Sequence, residues 1–468
     1  MTSVGFDDGS FRDRHARVFY HKDNVYRGLS EEGRVAWQRL ASTRLFRRFT
    51  DSGALIGTEE VPNAPVTASE AKWAAVLRHD RIPFVSYPYE WSFGMLQDAA
   101  LLQLDLLLAA LDEGLILKDA SAYNVQWRGA RPVFIDVSSF EPLRPSQPWV
   151  GYQQFCQMLL YPLMLQAYKD LPFQPWLRGS LEGITPDAFD KLMSARDHLR
   201  PGVLLHVHLQ ARAQATYADT GRDLRSDLRR AGFSVALIRA NVERLRALAG
   251  GLSWRRARST WSEYTGTHTY DARDLSLKTE FVRRAVAARP RRLVWDVGAN
   301  LGVFSRIAAD QGAYVVAIDA DHLTSERLYR ALKAAGENRI LPLVVNLVDP
   351  SPGLGWRGIE RKPLEARGQP DLVIALALVH HMVIGANVPL PEWMDWLAGL
   401  SSEAIVEFVA KDDPQAERLL RNKDDQHGDY SLERFEQLLN ARMSIVQRQA
   451  LGSGTRVLYH AVARSGAD

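Results

Sequence analysis

From about residue 260 onward, short apolar runs alternate with stretches that have helical spacing of apolar residues. Alternation of strands with helices is typical of a parallel sheet that has helices on both faces. The pattern therefore predicts an α/β unit in this part of the chain. The predicted strands are Arg292–Val297, Tyr314–Ile318, Ile340–Val345, Leu372–Leu376 and Ala404–Val409.

The first half of the chain has a different pattern. Residues 93–250 are mainly helical, and residues 1–90 mix short strand-like runs with a helical stretch around 31–48. This predicts an α+β arrangement, with a boundary near the pair Gly250-Gly251, which interrupts the helical pattern. The predicted strands are Val18–Tyr20, Asn24–Tyr26, Ile82–Tyr87 and a hairpin made of Asn124–Trp127 and Pro132–Val137.

Length and composition narrow the class of protein. A chain of 468 residues predicts two or three domains. Its formal charge of +3 is too small to indicate a nucleic acid or an anionic membrane as partner. Cys156 is the single cysteine, so an internal disulfide is impossible and a cytoplasmic location is expected. Polar residues interrupt the apolar run Ala99–Ile116, which predicts a buried helix rather than a membrane span.

The strongest candidate site is the point where a strand with an acid near its end leads into a glycine-containing turn. Leu293–Val297 includes Asp296 and leads through Gly298 and Gly302 into a predicted helix. Glycine lets the backbone approach a ligand closely, and a helix N-terminus offers free N–H groups to an anion. The spacing differs from G-x-G-x-x-G, which argues against NAD. Asp319 ends the next strand, where a carboxylate can accept hydrogen bonds from ribose hydroxyls.

Together these features resemble the class I S-adenosylmethionine (SAM)-dependent methyltransferases, over about residues 260–465. The resemblance implies a Rossmann-like, seven-stranded sheet that ends with strands Met443–Arg448 and Thr455–Ala463. It also implies that SAM is the cofactor. Asn300 stands where many members of the family have glycine. The implied SAM-binding residues are Asp296, Gly298, Asn300, Gly302 and Asp319, with Asn346 and Asp349 near the adenine.

A narrower resemblance covers the segments that follow the third, fourth and fifth predicted strands. Asn346…Asp349-Pro-Ser-Pro, Leu376-Ala-Leu-Val-His-His381 and Glu407-Phe-Val are similar to a group of bacterial methyltransferases that includes nodulation-associated proteins. The resemblance implies a glycan or another small metabolite as the methyl acceptor.

Three residues are candidates for catalysis. Methyl transfer from a sulfonium depends mainly on proximity and orientation, but an oxygen acceptor can also need a base. His380 and His381 follow the fourth strand, so either could be that base or could position the acceptor. A histidine that only caps the strand is the alternative. Glu407, at the end of the fifth strand, is a further candidate, although such an acid often orients a neighbouring group.

The first half carries a second constellation. Asp119, Asn124 and Asp136 flank the predicted hairpin, and this order resembles the catalytic and magnesium-binding loop of the protein-kinase-like fold. In that family the first acid accepts the substrate proton, while Asn124 and Asp136 would hold Mg²⁺ and ATP would be the cofactor. The chain lacks a glycine-rich loop before its first strands. Arg27 is the nearest candidate for the usual lysine, with Glu31 or Glu32 as its partner. An active kinase, a pseudokinase and a domain unrelated to kinases are all left open.

We therefore expect an α+β kinase-like domain over 1–215, a helical connector over 216–259 and a SAM-dependent methyltransferase domain over 260–468. The expected function is O-methylation of a glycan or small metabolite, with the kinase-like domain recognising the substrate. A bifunctional kinase and methyltransferase is one alternative. A non-catalytic SAM-binding protein of regulation or assembly is the other.

Overall fold

The computed structural model describes residues 5–62, 73–144, 147–212, 234–256, 258–259, 272–421 and 424–464. These residues form two compact units. The first unit lies within residues 1–127, 131–255 and 353–362, and the second within 128–130, 256–352 and 363–468. The predicted starts of the connector, at 216, and of the methyltransferase domain, at 260, lie outside the described residues, so those limits stay predictions.

The first unit contains a sheet with the strand order β1-β2-β3-β5-β4, in which neighbouring strands are antiparallel. The predicted strand Ile82–Tyr87 is wrong, because the strand lies earlier, at Ala75–His79. Pro83 and Pro88 explain the difference, since proline has no N–H to donate to a sheet. The strands are β1 (Gly5–Phe6), β2 (Ala16–His21), β3 (Asn24–Leu29), β4 (Thr58–Glu60) and β5 (Ala75–His79).

Two small strand pairs and several helices complete the first unit. Strand β6 (Leu115–Leu117) pairs with β9 (Phe140–Pro142), and β7 (Val125–Arg128) pairs with β8 (Arg131–Phe134), which is the predicted hairpin. The helices are α1 (Glu31–Ala41), α2 (Arg44–Asp51), α3 (Phe93–Asp112), α4 (Tyr152–Phe155), α5 (Tyr161–Lys169), α6 (Gln174–Gly179), α7 (Pro186–Leu192) and α8 (Val235–Gly251).

Helix α3 is the apolar centre of the first unit. Among the described residues it alone has the length and the mean hydropathy, 1.4, that a membrane-crossing helix needs. Yet 72% of its most apolar window is buried inside the unit, as in the core helix of a folded domain. Helix α8, which the sequence placed in a connector, packs along α3. Gln97 of α3 donates to the carbonyls of Ala249 and Leu252, both at 2.8 Å.

The second unit contains, within its described residues, a seven-stranded sheet of order β12-β11-β10-β13-β14-β16-β15. The strands from β10 to β14 are parallel, and β16 is antiparallel to both of its neighbours. This confirms the predicted seven-stranded sheet. The strands are β10 (Leu293–Val297), β11 (Tyr314–Asp319), β12 (Ile340–Val344), β13 (Leu372–Ala375), β14 (Glu403–Val409), β15 (Met443–Ala450) and β16 (Arg456–Ala463).

Helices follow the parallel strands of this sheet and cover their apolar side chains. Every residue of β12, β13 and β14 is buried, which explains why these strands are apolar runs rather than alternating ones. Chain direction puts the carboxyl ends of β10 to β14 at one edge, where open α/β sheets bind ligands. The helices are α9 (Ala272–Ala287), α10 (Val303–Asp310), α11 (His322–Ala335), α12 (Leu390–Leu400), α13 (Pro414–Leu420) and α14 (Leu432–Arg442).

Candidate active site

The turn between β10 and α10 has the left-handed backbone that its glycines predict. Gly298 has a φ of 77° and Gly302 a φ of 73°. A Cβ on Gly302 would lie 2.8 Å from Cδ1 of Leu328, so a larger residue meets both strain and a clash. Asn300 also has a positive φ, 49°, a region that asparagine tolerates better than most residues. This tolerance explains how asparagine can stand at a position where glycine is common.

Asp319 is bonded directly to this turn. Its Oδ2 accepts the backbone N–H of Asn300 at 2.9 Å, and its Oδ1 accepts that of Asp321 at 2.9 Å. Burial raises the pKa of Asp319 to about 6, although the two backbone donors favour the ionised form. The structure thus brings the acid of β11 and the turn after β10 together, as the sequence predicted. Additional donors at this carboxylate would stabilise its charged form.

Asp296 lies beneath the same turn and is only 2% exposed. Its Oδ2 accepts the hydroxyl of Ser305, on α10, at 2.5 Å. Burial raises the pKa of Asp296 to about 6, and the negative charge of Asp319 acts in the same direction. The acid therefore ties the end of β10 to the first turns of α10, at a cost in stability when it is ionised.

We expect Asp296→Asn to stabilise the protein at alkaline pH. Folding raises the pKa of Asp296 from 3.8 to about 6, so the free energy of unfolding falls as the pH rises through that range and the buried carboxyl ionises. The amide cannot ionise, so the variant should gain about 3 kcal/mol at pH 8 and only about 0.5 kcal/mol at pH 4. Denaturant titrations at both pH values measure the gain. Asp310→Asn, at the exposed end of α10, is the control, and an equal gain at pH 4 would contradict the explanation.

The two residues predicted to lie near the adenine follow β12. Asn346 and Asp349 are exposed, and Oδ1 of Asn346 accepts the N–H of Val348 at 3.1 Å. The N–H of Val345 donates to the carbonyl of Asp319 at 2.9 Å, which holds the start of this loop beside the end of β11. The structure therefore places both residues at the carboxyl edge, and their contact with a ligand stays a prediction.

His380 and His381 lie at the carboxyl end of β13, the strand next to β10. Their ring centroids are 4.0 Å apart, and His381 begins a π-helical turn, His381–Gly385. His380 is fully buried, and neither of its ring nitrogens has a hydrogen-bond partner among the described residues. Burial lowers the pKa of His380 well below its usual value and that of His381 to about 4. Both rings are therefore neutral near pH 7.

Ala377 is a feature of this loop that sequence reasoning missed. Its φ of 49° is left-handed, a conformation that costs about 1 kcal/mol or more for a residue with a Cβ. Backbone strain of this kind concentrates at functional sites. An alanine within an apolar run carries no local signal of a positive φ, so only the structure reveals it.

Glu407 is a buried ion-pair residue. Its Oε2 lies 2.7 Å from Nζ of Lys278, on α9, and its Oε1 lies 3.5 Å from Nη1 of Arg456, on β16. Arg456 in turn makes two hydrogen bonds with Asp413, at 2.7 and 2.9 Å. Burial lowers the pKa of Lys278, and Glu407 opposes that shift. A carboxylate held by two cations is a weak base, so the geometry favours a positioning role for Glu407.

Asp371, the first residue of the segment that leads to His380, lies at the opposite edge of the sheet. Its Oδ2 accepts the backbone N–H groups of Arg292 and Leu293 at 2.6 and 3.0 Å. Asp371 therefore joins the start of β13 to the start of β10. Like Asp319 it accepts two backbone N–H groups, but at the opposite end of β10.

The three candidates of the first unit are brought together around the hairpin. Oδ1 of Asp119 accepts the N–H of Ser121 at 2.8 Å, and burial raises the pKa of Asp119. Nδ2 of Asn124 donates to Oγ of Ser139 at 3.3 Å, and that hydroxyl donates to Oδ2 of Asp136 at 2.8 Å. Asn124 also hydrogen-bonds to the side chain of Asp119, so the predicted constellation exists as a connected polar cluster.

One carboxylate oxygen of Asp136, Oδ1, has protein partners where a magnesium ligand needs free lone pairs. Nη1 of Arg27 lies 2.6 Å from its Oδ1, and Ser138 donates to the same oxygen through its hydroxyl and its N–H, at 2.5 and 3.2 Å. Burial would raise the pKa of Asp136, but Arg27 and the serine hydroxyls outweigh it and lower that pKa. The expected pairing of Arg27 with Glu31 or Glu32 is wrong, since Glu31 pairs with Arg34 and Glu32 accepts from Ser30.

No family model matches the chain. The nodulation protein NoeA of Rhizobium meliloti (strain 1021) is 34% identical to it over 454 residues, which are 96% of this chain and 94% of NoeA. The chain belongs to the NoeA family. Identity over nearly the whole length means that the NoeA family comprises both units and not the methyltransferase-like part alone.

Solved structures match smaller parts of this NoeA-family chain. The N-methyltransferase NodS from Bradyrhizobium japonicum WM9 covers 42% of it at 11% identity, with a TM-score of 0.31 and 99% of NodS aligned. Magnesium protoporphyrin IX methyltransferase from Synechocystis PCC 6803, with bound SAM, covers 45% at 17% identity, with a TM-score of 0.30 and 88% of that protein aligned. The bifunctional kinase-methyltransferase WbdD covers 43% at 19% identity, with a TM-score of 0.29 and 41% of WbdD aligned. At these TM-scores the likenesses decide nothing about function.

Proposed function

We propose that this NoeA-family chain is a SAM-dependent methyltransferase that methylates an oxygen of a glycan or small metabolite. The observation that carries the proposal is the bond from the N–H of Asn300 to the carboxylate of Asp319. It joins a left-handed glycine turn to an acid at the end of the neighbouring strand. A ligand that carries both an anionic group and a ribose suits this pair of neighbouring features.

The residues present fit SAM. Gly302 precedes α10 without any side-chain cap, so the first N–H groups of that helix can bind the methionine carboxylate at the positive end of its dipole. Asp319 already accepts one backbone N–H at each oxygen, and each oxygen has a further lone pair for a ribose hydroxyl. When bound, SAM supplies a methyl group on a positively charged sulfur. Asn346 and Asp349 would lie on the side of the adenine.

The acceptor side of the proposed site is formed by His380 and His381. The partly exposed ring of His381 is neutral, so it can accept a hydrogen bond from an acceptor hydroxyl, and the buried, neutral ring of His380 packs against it. Their lowered pKa values reduce the driving force for full proton abstraction. We therefore assign them the positioning of the acceptor oxygen, with Glu407, Lys278 and Arg456 supporting the end of β14 beside them.

The first unit is proposed to recognise the substrate without transferring a phosphoryl group. Arg27 and Ser138 occupy Oδ1 of Asp136 with three contacts, whereas Oδ2 accepts one bond, from Ser139. A bifunctional kinase that held magnesium with both oxygens would have to break the bonds at Oδ1.

Calorimetric titration of the full chain with SAM tests the cofactor, and a transfer assay with labelled SAM against a library of glycans and metabolites tests the reaction. We expect saturable binding and label on a hydroxyl group. Absence of SAM binding would refute the proposal. Binding without transfer to any acceptor would favour the non-catalytic, regulatory alternative.

The role of the histidine pair is tested by His381→Gln and His381→Ala. If the pair positions the acceptor, glutamine keeps a hydrogen-bond acceptor and most of the rate, while alanine lowers kcat/KM about tenfold. A general base predicts instead a loss of about 100-fold or more in both variants and a changed pH profile. The dissociation constant for SAM should not change in either case. His460→Gln, a buried histidine of β16 that is bonded to Glu403, is the matched control.

A further inference from the structure

We propose that the first unit binds one zinc ion, or a similar divalent transition metal, between Asp190, His198 and His208. Within the described residues, each of the three offers one ligand atom, and these atoms all lie within 4.8 Å of one another. Two imidazoles and one carboxylate form a donor set that suits zinc. The cluster belongs to neither the proposed methyl-transfer site nor the cluster around Asp136.

The distances between the donor atoms fit a shared ion. Nδ1 of His208 lies 3.1 Å from Oδ1 of Asp190, and Nε2 of His198 lies 3.7 Å from the same oxygen. The second distance is too long for a hydrogen bond. Zinc bonds of about 2.0–2.1 Å in a tetrahedral arrangement place donor atoms about 3.3 Å apart, between the two observed values. The centroids of the two imidazole rings lie 4.7 Å apart, and the ring planes are tilted by 41°, so the rings are not stacked face to face.

The backbone that carries the three donors is held by contacts that do not involve them. Near His198, the carboxylate of Asp197 is buried and accepts bonds from Lys169 and Ser194. Near His208, the hydroxyl of Tyr161 donates to the carbonyl of His206 at 2.5 Å. The donors are therefore positioned in advance, which lowers the cost of ordering them around an ion.

Helix α7, which carries Asp190, is also held by a contact that does not involve any of the three donor side chains. The ring of Phe189 stacks on that of Tyr161, with centroids 5.0 Å apart and planes 11° from parallel. Tyr161 therefore supports both the helix of Asp190 and the turn of His208. Substitution of a donor should leave this framework intact.

The site is accessible to an ion and keeps a position for a further ligand. The side chains of Asp190, His198 and His208 are 25%, 30% and 20% exposed, so the cluster is shielded but open to solvent. Three protein donors leave one tetrahedral position for water, as in zinc sites with an open coordination position. His208 ends the π-helical turn Leu204–His208, a feature that frequently occurs at functional sites.

Metal titration of the full-length protein tests the proposal. Protein stripped with a chelator and then titrated with zinc chloride should bind one equivalent by calorimetry. Cobalt(II) in its place should give the visible absorption of a tetrahedral N/O site. His198→Gln and His208→Gln, each made separately, should weaken zinc binding at least tenfold while keeping the melting temperature of the metal-free protein.

The matched control is His15→Gln, which alters a surface histidine 3.9 Å from Glu32, a pair that also combines imidazole and carboxylate. This variant should bind zinc like the wild type. Failure of the wild type to bind zinc, or equal binding by both cluster variants and the wild type, would overturn the proposal. SAM binding, measured in the same samples, reports separately on the second unit.

Discussion

Asp319→Ala should abolish measurable SAM binding, with a dissociation constant at least 100-fold higher than that of the wild type. The substitution removes both oxygens that would accept the ribose hydroxyls. It also releases the N–H groups of Asn300 and Asp321 from their acceptors. Hydrogen bonds to a charged acceptor contribute about 1.5–3 kcal/mol each, so two of them exceed a 100-fold effect. Calorimetry on folded variant protein provides the measurement.

Asp371→Ala separates this binding effect from loss of stability. Asp371 also accepts two backbone N–H groups through its carboxylate, but at the opposite edge of the same sheet. The two variants should lower the melting temperature by similar amounts, while only Asp319→Ala loses SAM. If Asp371→Ala weakened SAM binding equally, the effect would come from general disruption of the sheet, and the assignment of the site would be wrong.

The pH dependence of SAM binding follows from the same carboxylate. The pKa of Asp319 is about 6 in the free protein, and hydrogen bonds from a ribose favour the ionised form. A ligand that prefers the ionised form binds more tightly as the pH rises through about 6. The affinity of the wild type should therefore fall as the pH is lowered from 7 to 5.

Arg456→Met should be the most destabilising single change in the second unit among those considered, at about 4 kcal/mol. Arg456 is 1% exposed, and its positive charge compensates the negative charge of Asp413 and, at a longer distance, that of Glu407. Removing one partner from a buried ion pair leaves an uncompensated charge, which costs about 3–5 kcal/mol. Denaturant titration measures the loss. The double variant Arg456→Met/Asp413→Asn should recover part of it, because the uncompensated charge is then gone.

Arg448→Met is the matched control for this experiment. Arg448 lies on the adjacent strand β15 and pairs with Glu436 at 2.8 Å, but about half of its side chain is exposed. Exposed pairs contribute about 1 kcal/mol or less, so this variant should change stability only slightly. Equal losses in Arg448→Met and Arg456→Met would show that burial does not determine the contribution of these pairs.

The second unit was the more predictable part of the fold because its signals are local. The five parallel strands are continuous apolar runs, and the structure places each within two residues of its predicted bounds. Asp296 and Asp319 were identified because each is the last or the last but one residue of a strand, and parallel strands bring such ends to one edge. In contrast, the misplaced strand at 82–87 shows that an apolar run containing prolines does not by itself specify pairing.

The partners of polar side chains were the less predictable part. Arg27 was assigned a glutamate nearby in sequence, whereas its partner is Asp136, 109 residues away. Glu407 was a candidate catalytic group, but Lys278 and Arg456, from α9 and β16, surround it. Charged residues are common in every segment, so sequence spacing cannot select one partner among many.

The sequence by itself therefore determined the order of the strands along the chain, the glycine turn with its two acids, and the position of the histidine pair. These depend on backbone conformation and on apolar periodicity, which neighbouring residues specify. Only the tertiary structure decided that Asp136 is already bonded, that Glu407 is an ion-pair residue, that His380 is buried with no hydrogen-bond partner among the described residues, and that Asp190, His198 and His208 converge. Each of these depends on distances between side chains from separate elements, and packing alone sets such distances.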